Sequence, residues 1–419
     1  MSRESVRAED AHTRRQAGGS PHARSRPGVT FATALAVLAA ILGALLPRGA
    51  SRESAAVRRA QGPDAGSLLE LAPPLDSSGF SRATAPREFR LPADHGPHFG
   101  FQTEWWYFTG VLAAGDGRRF GFQLTFFRRG LSPGPPPDGP GLSTNQLYFA
   151  HFAVSDEDAG EHAFAERWAR GAGGLAGATG EPFAVWLEGW RAEATDADGR
   201  TLRLAAGDGP RRIELDLESR KPLVRHGDRG VSAKSDEPGN ASYYVGYTRL
   251  GVRGRLATER GETAVTGEAW FDHEWSTSAL GPGAVGWDWF SLQLSDGRDL
   301  MYFQIRRTGG GIEPASGGTL VSEDGATQRL SAHEVELSVL ARWTSPHTSA
   351  RYPARWRLRV PEAGLDLVIA PLVGDQEMRT SFLYWEGAVT LSGRASGGPI
   401  AGHGYVELTG YAASMQGVF

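Results

Sequence analysis

Two segments of the chain repeat one pattern, an aromatic strand followed by a tight turn and a return strand. The first copy contains Trp106-Tyr-Phe-Thr-Gly-Val-Leu, Asp116-Gly-Arg and Phe122-Gln-Leu, and the second contains Trp289-Phe-Ser-Leu-Gln-Leu, Asp296-Gly-Arg and Phe303-Gln-Ile. Asp-Gly supplies the positive φ angles that a two-residue hairpin turn requires. Repetition of such a hairpin indicates two similar β-domains in tandem. The loop between Ser276 and Gly286 is then their junction.

The sequence from about residue 88 onward is typical of β-strands. In Phe120-Gly-Phe-Gln-Leu-Thr-Phe126 every second residue is a large apolar one, so that these side chains share one face. The same alternation occurs at residues 213–217, 335–339 and 356–360. Long helical patterns are scarce, and the Pro/Gly-rich stretches are interpreted as loop insertions: residues 132–142 and 171–180.

These patterns predict an all-β chain of two tandem antiparallel β-barrels. Closing a sheet into a barrel removes its edges, and the mouth of a barrel is a natural site for an apolar ligand. Composition agrees with a folded chain that binds no nucleic acid, because 40% of the residues are apolar and the net charge is −4. There is no Cys, which excludes disulfides and thiolate metal sites.

The amino-terminal region is predicted to direct export. Arginines precede an apolar run, residues 29–46, which is long enough for a signal-peptide core or for a single membrane span. Residues 1–50 are therefore a signal peptide or a signal anchor, and both alternatives stay open. The arginines predict an inside amino terminus, so the remainder is extracytoplasmic, either periplasmic or secreted. Residues 51–85 have the composition of a flexible stalk.

Residues 270–290 place acidic side chains among tryptophans. Burial among indoles raises the pKa of a carboxyl group, which is what an acid that protonates an alkene requires. Asp272 and His273 are accordingly candidate catalytic residues, with His273 positioning the acid or activating water. Asp288 lies between Trp287 and Trp289, although neighbours on a strand point to opposite faces. The alternative is that this Trp-rich stretch packs two barrels together or lines a ligand pocket.

Further candidates for ligand binding are aromatic, acidic or histidine residues in other strand segments: Glu104, Trp105, Tyr107, His151, Tyr244, Trp275, Trp287 and Asp288. For Glu104 the alternative is burial in an ion pair with an arginine such as Arg128. A metal site formed by His95, His98 and His151 is conceivable but weakly indicated, so no metal is predicted. No phosphate-binding Gly motif occurs, and no cofactor is predicted.

Several motifs together resemble the AttH-like, carotenoid 1,2-hydratase (hydroxyneurosporene synthase) superfamily. They are Thr103-Glu-Trp-Trp-Tyr-Phe-Thr-Gly110, Gln123-Leu-Thr-Phe-Phe-Arg128, Ala150-His-Phe152, Trp270-Phe-Asp-His-Glu-Trp275 and Gly286-Trp-Asp-Trp-Phe-Ser-Leu292. The resemblance implies two lipocalin-like barrels, at residues 86–278 and 279–419, with a pocket at their interface. Its hydratases add water to a terminal isoprenoid double bond without a cofactor. They share the Asp-His-x-Trp element, with Glu274 here at the variable place.

Two classes of function follow from these observations. The first is extracytoplasmic binding of a lipid or isoprenoid-like molecule between the barrels, as a carrier that works with an ABC-type export transporter. The resemblance suggests this partner. The second is a cofactor-independent hydro-lyase that acts on an alkene by acid catalysis. Relatives are also labelled secreted hydrolases, but the sequence contains no Gly-x-Ser-x-Gly elbow.

Overall fold

The computed structural model describes residues 76–137, 143–277 and 280–415. Strands account for 61% of the described residues and helix for 3%. The predicted signal or anchor segment, most of the stalk and part of the loop at 132–142 lie outside the described residues. Within the described ranges, no helix is long and apolar enough to cross a membrane.

The first sheet is antiparallel and forms a nearly closed barrel. Its main strand order is β4-β3-β2-β1-β13-β12-β9-β8-β7-β6-β5, and β10 and β11 pair with β12. Its strands are β1 (Thr103–Ala114), β2 (Arg119–Gly130), β3 (Gln146–Asp156), β4 (Glu161–Arg170), β5 (Ala176–Gly180), β6 (Phe183–Leu187), β7 (Trp190–Ala194), β8 (Thr201–Asp208), β9 (Arg211–Ser219), β10 (Val224–Arg225), β11 (Val231–Ala233), β12 (Ala241–Thr258) and β13 (Gly261–Ser276).

The second sheet is also antiparallel and forms a half-barrel. Its main order is β17-β16-β15-β14-β23-β22-β20-β19-β18, and β21 pairs with β22. Its strands are β14 (Ala284–Leu294), β15 (Asp299–Arg307), β16 (Gly317–Val321), β17 (Thr327–Ser331), β18 (Glu336–Thr344), β19 (Arg351–Val360), β20 (Leu365–Pro371), β21 (Glu377–Arg379), β22 (Leu383–Ala395) and β23 (Gly398–Thr409). Three short 3₁₀ helices are described: Ala93–His95, Ala332–Glu334 and Pro361–Ala363.

The predicted all-β class with two tandem antiparallel sheets is confirmed. One detail differs, because the second sheet stays open between β17 and β18. A second difference concerns residues 171–180, which were expected to be loop but contain strand β5. Gly177 makes this strand possible, since a Cβ there would lie only 2.7 Å from the indole of Trp186.

The internal repeat is present as two equivalent hairpins. Asp116 accepts hydrogen bonds from the backbone N–H and the guanidinium of Arg118, and Asp296 does the same for Arg298. In both turns the intervening glycine has a positive φ angle, as Asp-Gly turns require. The first strand of each hairpin also pairs with the last strand of its own sheet. In the first sheet β1 pairs with β13, and in the second β14 pairs with β23.

The described chain contains separate apolar clusters inside each sheet and between them. Phe120, Phe122, Leu124 and Phe126 point into the first barrel, where all four are fully buried. The opposite faces of β1, β2 and β13 pack against the second sheet, which contributes Trp289 among others. A Cβ on Gly121 would lie 2.5 Å from that of Ala388, so glycine is needed for β2 and β22 to pack together at this point. The part of β13 at residues 269–276 is consequently buried on both faces.

Candidate functional site: an aromatic cavity lined by buried acids

A cavity lies between the two sheets. About 120 Å³ of it is open to the centre of a water molecule, several times what a single water needs. Nine of its twenty lining residues are aromatic and four are acidic. The lining residues are Trp105, Tyr107, Gln123, Thr125, Phe127, Lys234, Tyr244, Asp272, Glu274, Ser276, Leu280, Trp287, Trp289, Phe303, Ile305, Phe382, Tyr384, Glu386, Glu407 and Met415.

Strand β13 presents alternate residues to two different interiors. Asp272 and Glu274 line the cavity between the sheets. His273 and Trp275 point the other way, where His273 stacks against Trp106 with ring centroids 5.0 Å apart. Successive strand residues face opposite sides of a sheet, so the two predicted catalytic neighbours are separated by the sheet itself. The expectation that Asp272, His273 and Trp275 share one cavity is therefore corrected for His273 and Trp275.

Asp272 is held by two donors in the cavity wall. Its carboxyl oxygens accept hydrogen bonds from the Tyr244 hydroxyl at 2.5 Å and from the Trp270 indole N–H at 2.8 Å. Burial raises the pKa of Asp272 well above its usual range, and these two hydrogen bonds oppose that rise only in part. His226 lies 3.8 Å away, and burial lowers its pKa to about 3. The group therefore favours a neutral acid beside a neutral imidazole.

Glu386 is a second buried acid, which enters from β22 of the other sheet. One of its oxygens accepts a hydrogen bond of 2.6 Å from the Tyr107 hydroxyl. Its other oxygen, Oε2, is buried and has no hydrogen-bond partner among the described residues. Burial and the nearby charge of Glu407 raise the pKa of Glu386 well above its usual range. Glu386 is thus kept protonated with one oxygen uncommitted.

Glu407 faces Glu386 directly across the β22–β23 pair. Its carboxylate accepts a 2.9 Å hydrogen bond from the Trp287 indole N–H. Burial raises the pKa of Glu407 to about 7, so its charge changes near neutral pH. The fourth acid, Glu274, is paired with the Lys234 ammonium at 2.7 Å and with the Ser242 hydroxyl.

The cavity also contains the end of a hydrogen-bonded chain. The hydroxyl of Tyr384 lies 2.7 Å from Nδ1 of His151, and Nε2 of His151 lies 2.9 Å from Glu166. His151 is fully buried behind the cavity wall rather than in its lining. Its predicted contribution to the cavity is therefore made through Tyr384.

Glu104 lies inside the first barrel, away from the cavity. It accepts hydrogen bonds from Arg128 at 2.8 Å, from His98 at 2.8 Å and from His273 at 2.9 Å. Burial opposes ionisation, but the Arg128 charge and the two histidines hold the pKa of Glu104 well below its usual range. The alternative of a buried ion pair with Arg128 is the arrangement observed.

The same cluster brings together three potential metal ligands. His98, Glu104 and His273 each place a ligand atom within 4.8 Å of the others. The Arg128 guanidinium already contacts the carboxylate, and a fixed positive charge there disfavours a cation. His151, named with His95 and His98 as a conceivable metal set, lies elsewhere and bonds Tyr384 and Glu166.

Asp288 also faces away from the cavity. It pairs with Arg306 at 2.9 Å and accepts hydrogen bonds from Gln304 and Tyr411. Its flanking residues Trp287 and Trp289 both line the cavity, as the alternation of a strand requires. A ligand-binding role for Asp288 is therefore not favoured by its position.

Comparison with known proteins identifies the family. A family model described as AttH-like matches residues 82–411. The chain belongs to the AttH-like family. The resemblance inferred from the motifs is thereby confirmed, and the two richest of these AttH-like motifs lie on β1 and β13, which pair directly.

Two solved structures illustrate how far the AttH-like fold extends. An AttH-type protein of Nitrosomonas europaea is 34% identical and covers 78% of this chain and 99% of its own, with a TM-score of 0.68. Kievitone hydratase of Nectria haematococca is 15% identical and covers 81% of this chain and 98% of its own, with a TM-score of 0.61, a likeness of fold. The comparison with curated proteins found no match.

The AttH-like cavity brings together some predicted site residues and separates others. Asp272, Trp105, Tyr107, Tyr244 and Trp287 line it. The strand faces that point away from the cavity carry the others, which are Glu104, His273, Trp275 and Asp288.

The sequence analysis missed Glu386, Glu407 and Tyr384. The signal for Glu386 was available, because it is a single acid within the otherwise apolar run Leu383-Tyr-Trp-Glu-Gly-Ala-Val. This is the same kind of signal that singled out Asp272.

Proposed function

We propose that this AttH-like chain is a cofactor-independent hydratase-type enzyme that adds water to an alkene, or removes it, within the cavity. The observation that carries the proposal is Glu386. It is a buried carboxylic acid, kept protonated and with one oxygen uncommitted, in a cavity that nine aromatic residues help to line. Such an acid is what protonation of an alkene near neutral pH requires.

Asp272 and Glu386 are the two cavity acids whose pKa is raised well above the usual range, and they differ in their fitness as proton donor. Both oxygens of Asp272 already accept hydrogen bonds from Tyr244 and Trp270. Glu386 shares only one oxygen, with Tyr107. We therefore assign the donor role to Glu386, and give Asp272 the role of a second neutral acid that orients Tyr244.

The aromatic wall supplies the other requirement of the reaction. Protonation of an alkene leaves a carbocation, which the negative faces of aromatic rings stabilise. Trp289 stands edge-on to both Tyr107 and Trp270, with ring centroids 5.2 and 6.3 Å away. Rings fixed at such angles surround a ligand with faces and edges from both sheets. The hydratase of the same fold described above supports this class of reaction only in general terms.

The experiment uses the purified full-length chain with geraniol, an acyclic isoprenoid alkene, in ¹⁸O-labelled water. We expect a diol that carries one ¹⁸O atom, in the new hydroxyl group, detected by mass spectrometry. Glu386→Gln keeps the shape of the side chain but removes the proton, and should lower the rate by about 10²–10⁴-fold. Asp272→Asn should lower it less.

A matched control separates chemistry from folding. Glu214→Gln makes the same change at an exposed acid of β9 and should leave the rate unaltered. Incorporation of ¹⁸O that is equal in Glu386→Gln and the wild type would reject Glu386 as the donor. The absence of incorporation in the wild type, with geraniol bound, would reject hydration of this alkene class.

The second candidate function is non-catalytic binding of a lipid or isoprenoid-like molecule. The cavity favours it, because tryptophans, tyrosines and phenylalanines make up much of the wall. A carrier should retain an apolar molecule through detergent-free purification, seen by native mass spectrometry, with no chemical change on incubation. Export of the chain, and an ABC-type transporter as its partner, stay proposals of the sequence analysis.

A further inference from the structure

A carboxylate, an imidazole and a phenol form one hydrogen-bonded line that ends in the cavity. Glu166 of β4 and His151 of β3 lie opposite each other in register, and Tyr384 comes from β22 of the second sheet. The two contacts are 2.9 Å from Glu166 to His151 and 2.7 Å from His151 to Tyr384. The line therefore crosses from one sheet to the other.

The environment fixes the tautomer of His151. Burial opposes the charge on Glu166, but hydrogen bonds from His151 and Ser381 lower its pKa below the usual value, so it is a carboxylate. A carboxylate accepts a proton and has none to give, so Nε2 of His151 carries the hydrogen that points to it. Nδ1 then has a free lone pair, which accepts the hydroxyl hydrogen of Tyr384.

Rigid aromatic packing holds the imidazole in this orientation. The rings of Phe127, Phe149 and Phe382 surround His151 with centroid distances between 5.2 and 5.8 Å. The imidazole is fully buried, and the hydroxyl of Tyr384 is its polar partner on the cavity side. A carboxylate that orients a histidine, which in turn accepts a proton from a hydroxyl, is the general arrangement for base activation.

We propose that Tyr384 is the catalytic residue that accepts the proton of the attacking water, with His151 and Glu166 as positioning residues behind it. This inference rests on the proposed function and assigns the other half of that reaction. Tyr384 and Glu386 are two residues apart on β22, so their side chains emerge on one face about 7 Å apart. A proton donor and a proton acceptor thus lie side by side at one alkene.

The proton balance closes without a further reagent. Glu386 gives its proton to one alkene carbon, and the other carbon becomes cationic. Water forms the new C–O bond and passes a proton to the Tyr384 oxygen, while the Tyr384 hydrogen moves to Nδ1 of His151. The imidazolium is stabilised by the Glu166 carboxylate. When the alcohol leaves, this proton returns through Tyr384 and an entering water to Glu386.

The first test is Tyr384→Phe in the full-length chain, with geraniol in ¹⁸O-labelled water. We expect a fall in kcat of about 10²–10⁴-fold with little change in KM. The matched control is Tyr352→Phe, which removes a buried phenol whose hydrogen-bond partner, Glu377, lies outside the cavity. Glu166→Gln should lower kcat, and Glu166→Asp should restore part of it.

The second test does not depend on turnover. ¹⁵N NMR of histidine-labelled protein should show His151 with hydrogen on Nε2 and none on Nδ1, the resonances being assigned by their loss in His151→Gln. A hydrogen on Nδ1 in the wild type would contradict proton transfer from Tyr384 to His151, whether or not the enzyme is active. An active wild type with an equally active Tyr384→Phe would also overturn it and leave the proposed function intact. An inactive wild type with the expected tautomer would reject the proposed function, and the base role of Tyr384 with it.

Discussion

Glu386 of β22 and Glu407 of β23 lie directly opposite one another, and both side chains line the same cavity. Two negative charges so close together in a low-dielectric site repel strongly. The charge of Glu407 therefore raises the pKa of Glu386 further, and near neutral pH the pair retains at least one proton. This pairing leads to the first prediction.

Replacement of Glu407 should change how stability depends on pH. Its pKa is raised by burial from 4.5 to about 7. A carboxyl with a raised pKa stabilises the fold fully below its unfolded pKa, and this contribution is lost as pH rises through the folded value. The contribution of Glu407 to the unfolding free energy should therefore fall by up to about 3 kcal/mol between pH 4.5 and 7.5. Asp272 and Glu386, whose pKa values are also raised, lower stability over the same range, so Glu407→Gln should make the fall shallower without abolishing it.

The measurement is urea unfolding followed by tryptophan fluorescence at several pH values. Glu214→Gln is the control, because its side chain is 65% exposed. Parallel pH profiles for the wild type and Glu407→Gln would contradict the prediction.

The ion pair inside the first barrel should act on stability alone. Arg128 and Glu104 are both fully buried and 2.8 Å apart. Glu104→Gln leaves the guanidinium charge without its counter-charge, and should cost about 3–5 kcal/mol of unfolding free energy. The double variant Glu104→Gln/Arg128→Met should lose less than the two single changes added together. A thermodynamic double-mutant cycle tests this, and strict additivity would refute it.

Two tryptophans should behave differently because they face different interiors. Trp289 lines the cavity, whereas Trp275 stacks on His98 at a centroid distance of 3.7 Å. Trp289→Ala should weaken binding of the neutral fluorophore N-phenyl-1-naphthylamine by about 1–3 kcal/mol. Trp275→Ala should leave that affinity unchanged and cost about 3–5 kcal/mol of stability. Fluorescence titration and thermal unfolding of both variants measure the contrast, and equal losses of affinity would contradict it.

The amino-terminal segment predicts export of the rest of the chain. An alkaline phosphatase fused after Gln61 should be active, and the activity should disappear when residues 29–46 are deleted. A reporter that works only in the cytoplasm should be inactive at the same position. Activity of that second reporter would refute the extracytoplasmic location.

The fold was predictable because β-strands carry their signal locally. Alternation in residues 120–126 and the Asp-Gly turns at Asp116 and Asp296 each need only a few neighbouring residues. The open edge between β17 and β18 has no such local signal, because closure depends on strand tilt and stagger over the whole sheet.

Only part of the site was predictable, because strand alternation separates residues into two faces without showing which face lines the cavity. When both faces of a strand are buried, alternation shows that Asp272 and His273 face different interiors but not which interior holds the cavity. The hydrogen-bonded line from Glu166 through His151 to Tyr384 could not be predicted from any local pattern. Glu166, His151 and Tyr384 are brought together by pairing within one sheet and packing against the other, which no short sequence window records.

The two-sided burial of β13 has a consequence for how this protein can evolve. Its Asp-His-Glu-Trp run looks like one motif in the sequence, but alternate residues in it are under different selective constraints. Asp272 and Glu274 are constrained by what enters the cavity, and His273 and Trp275 by what keeps the first barrel folded. Relatives that acquire a new ligand should therefore differ at the positions of Asp272 and Glu274. They should retain the residues at the positions of His273 and Trp275. A shared His-x-Trp spacing without the preceding Asp would then be evidence of common architecture but not of common chemistry.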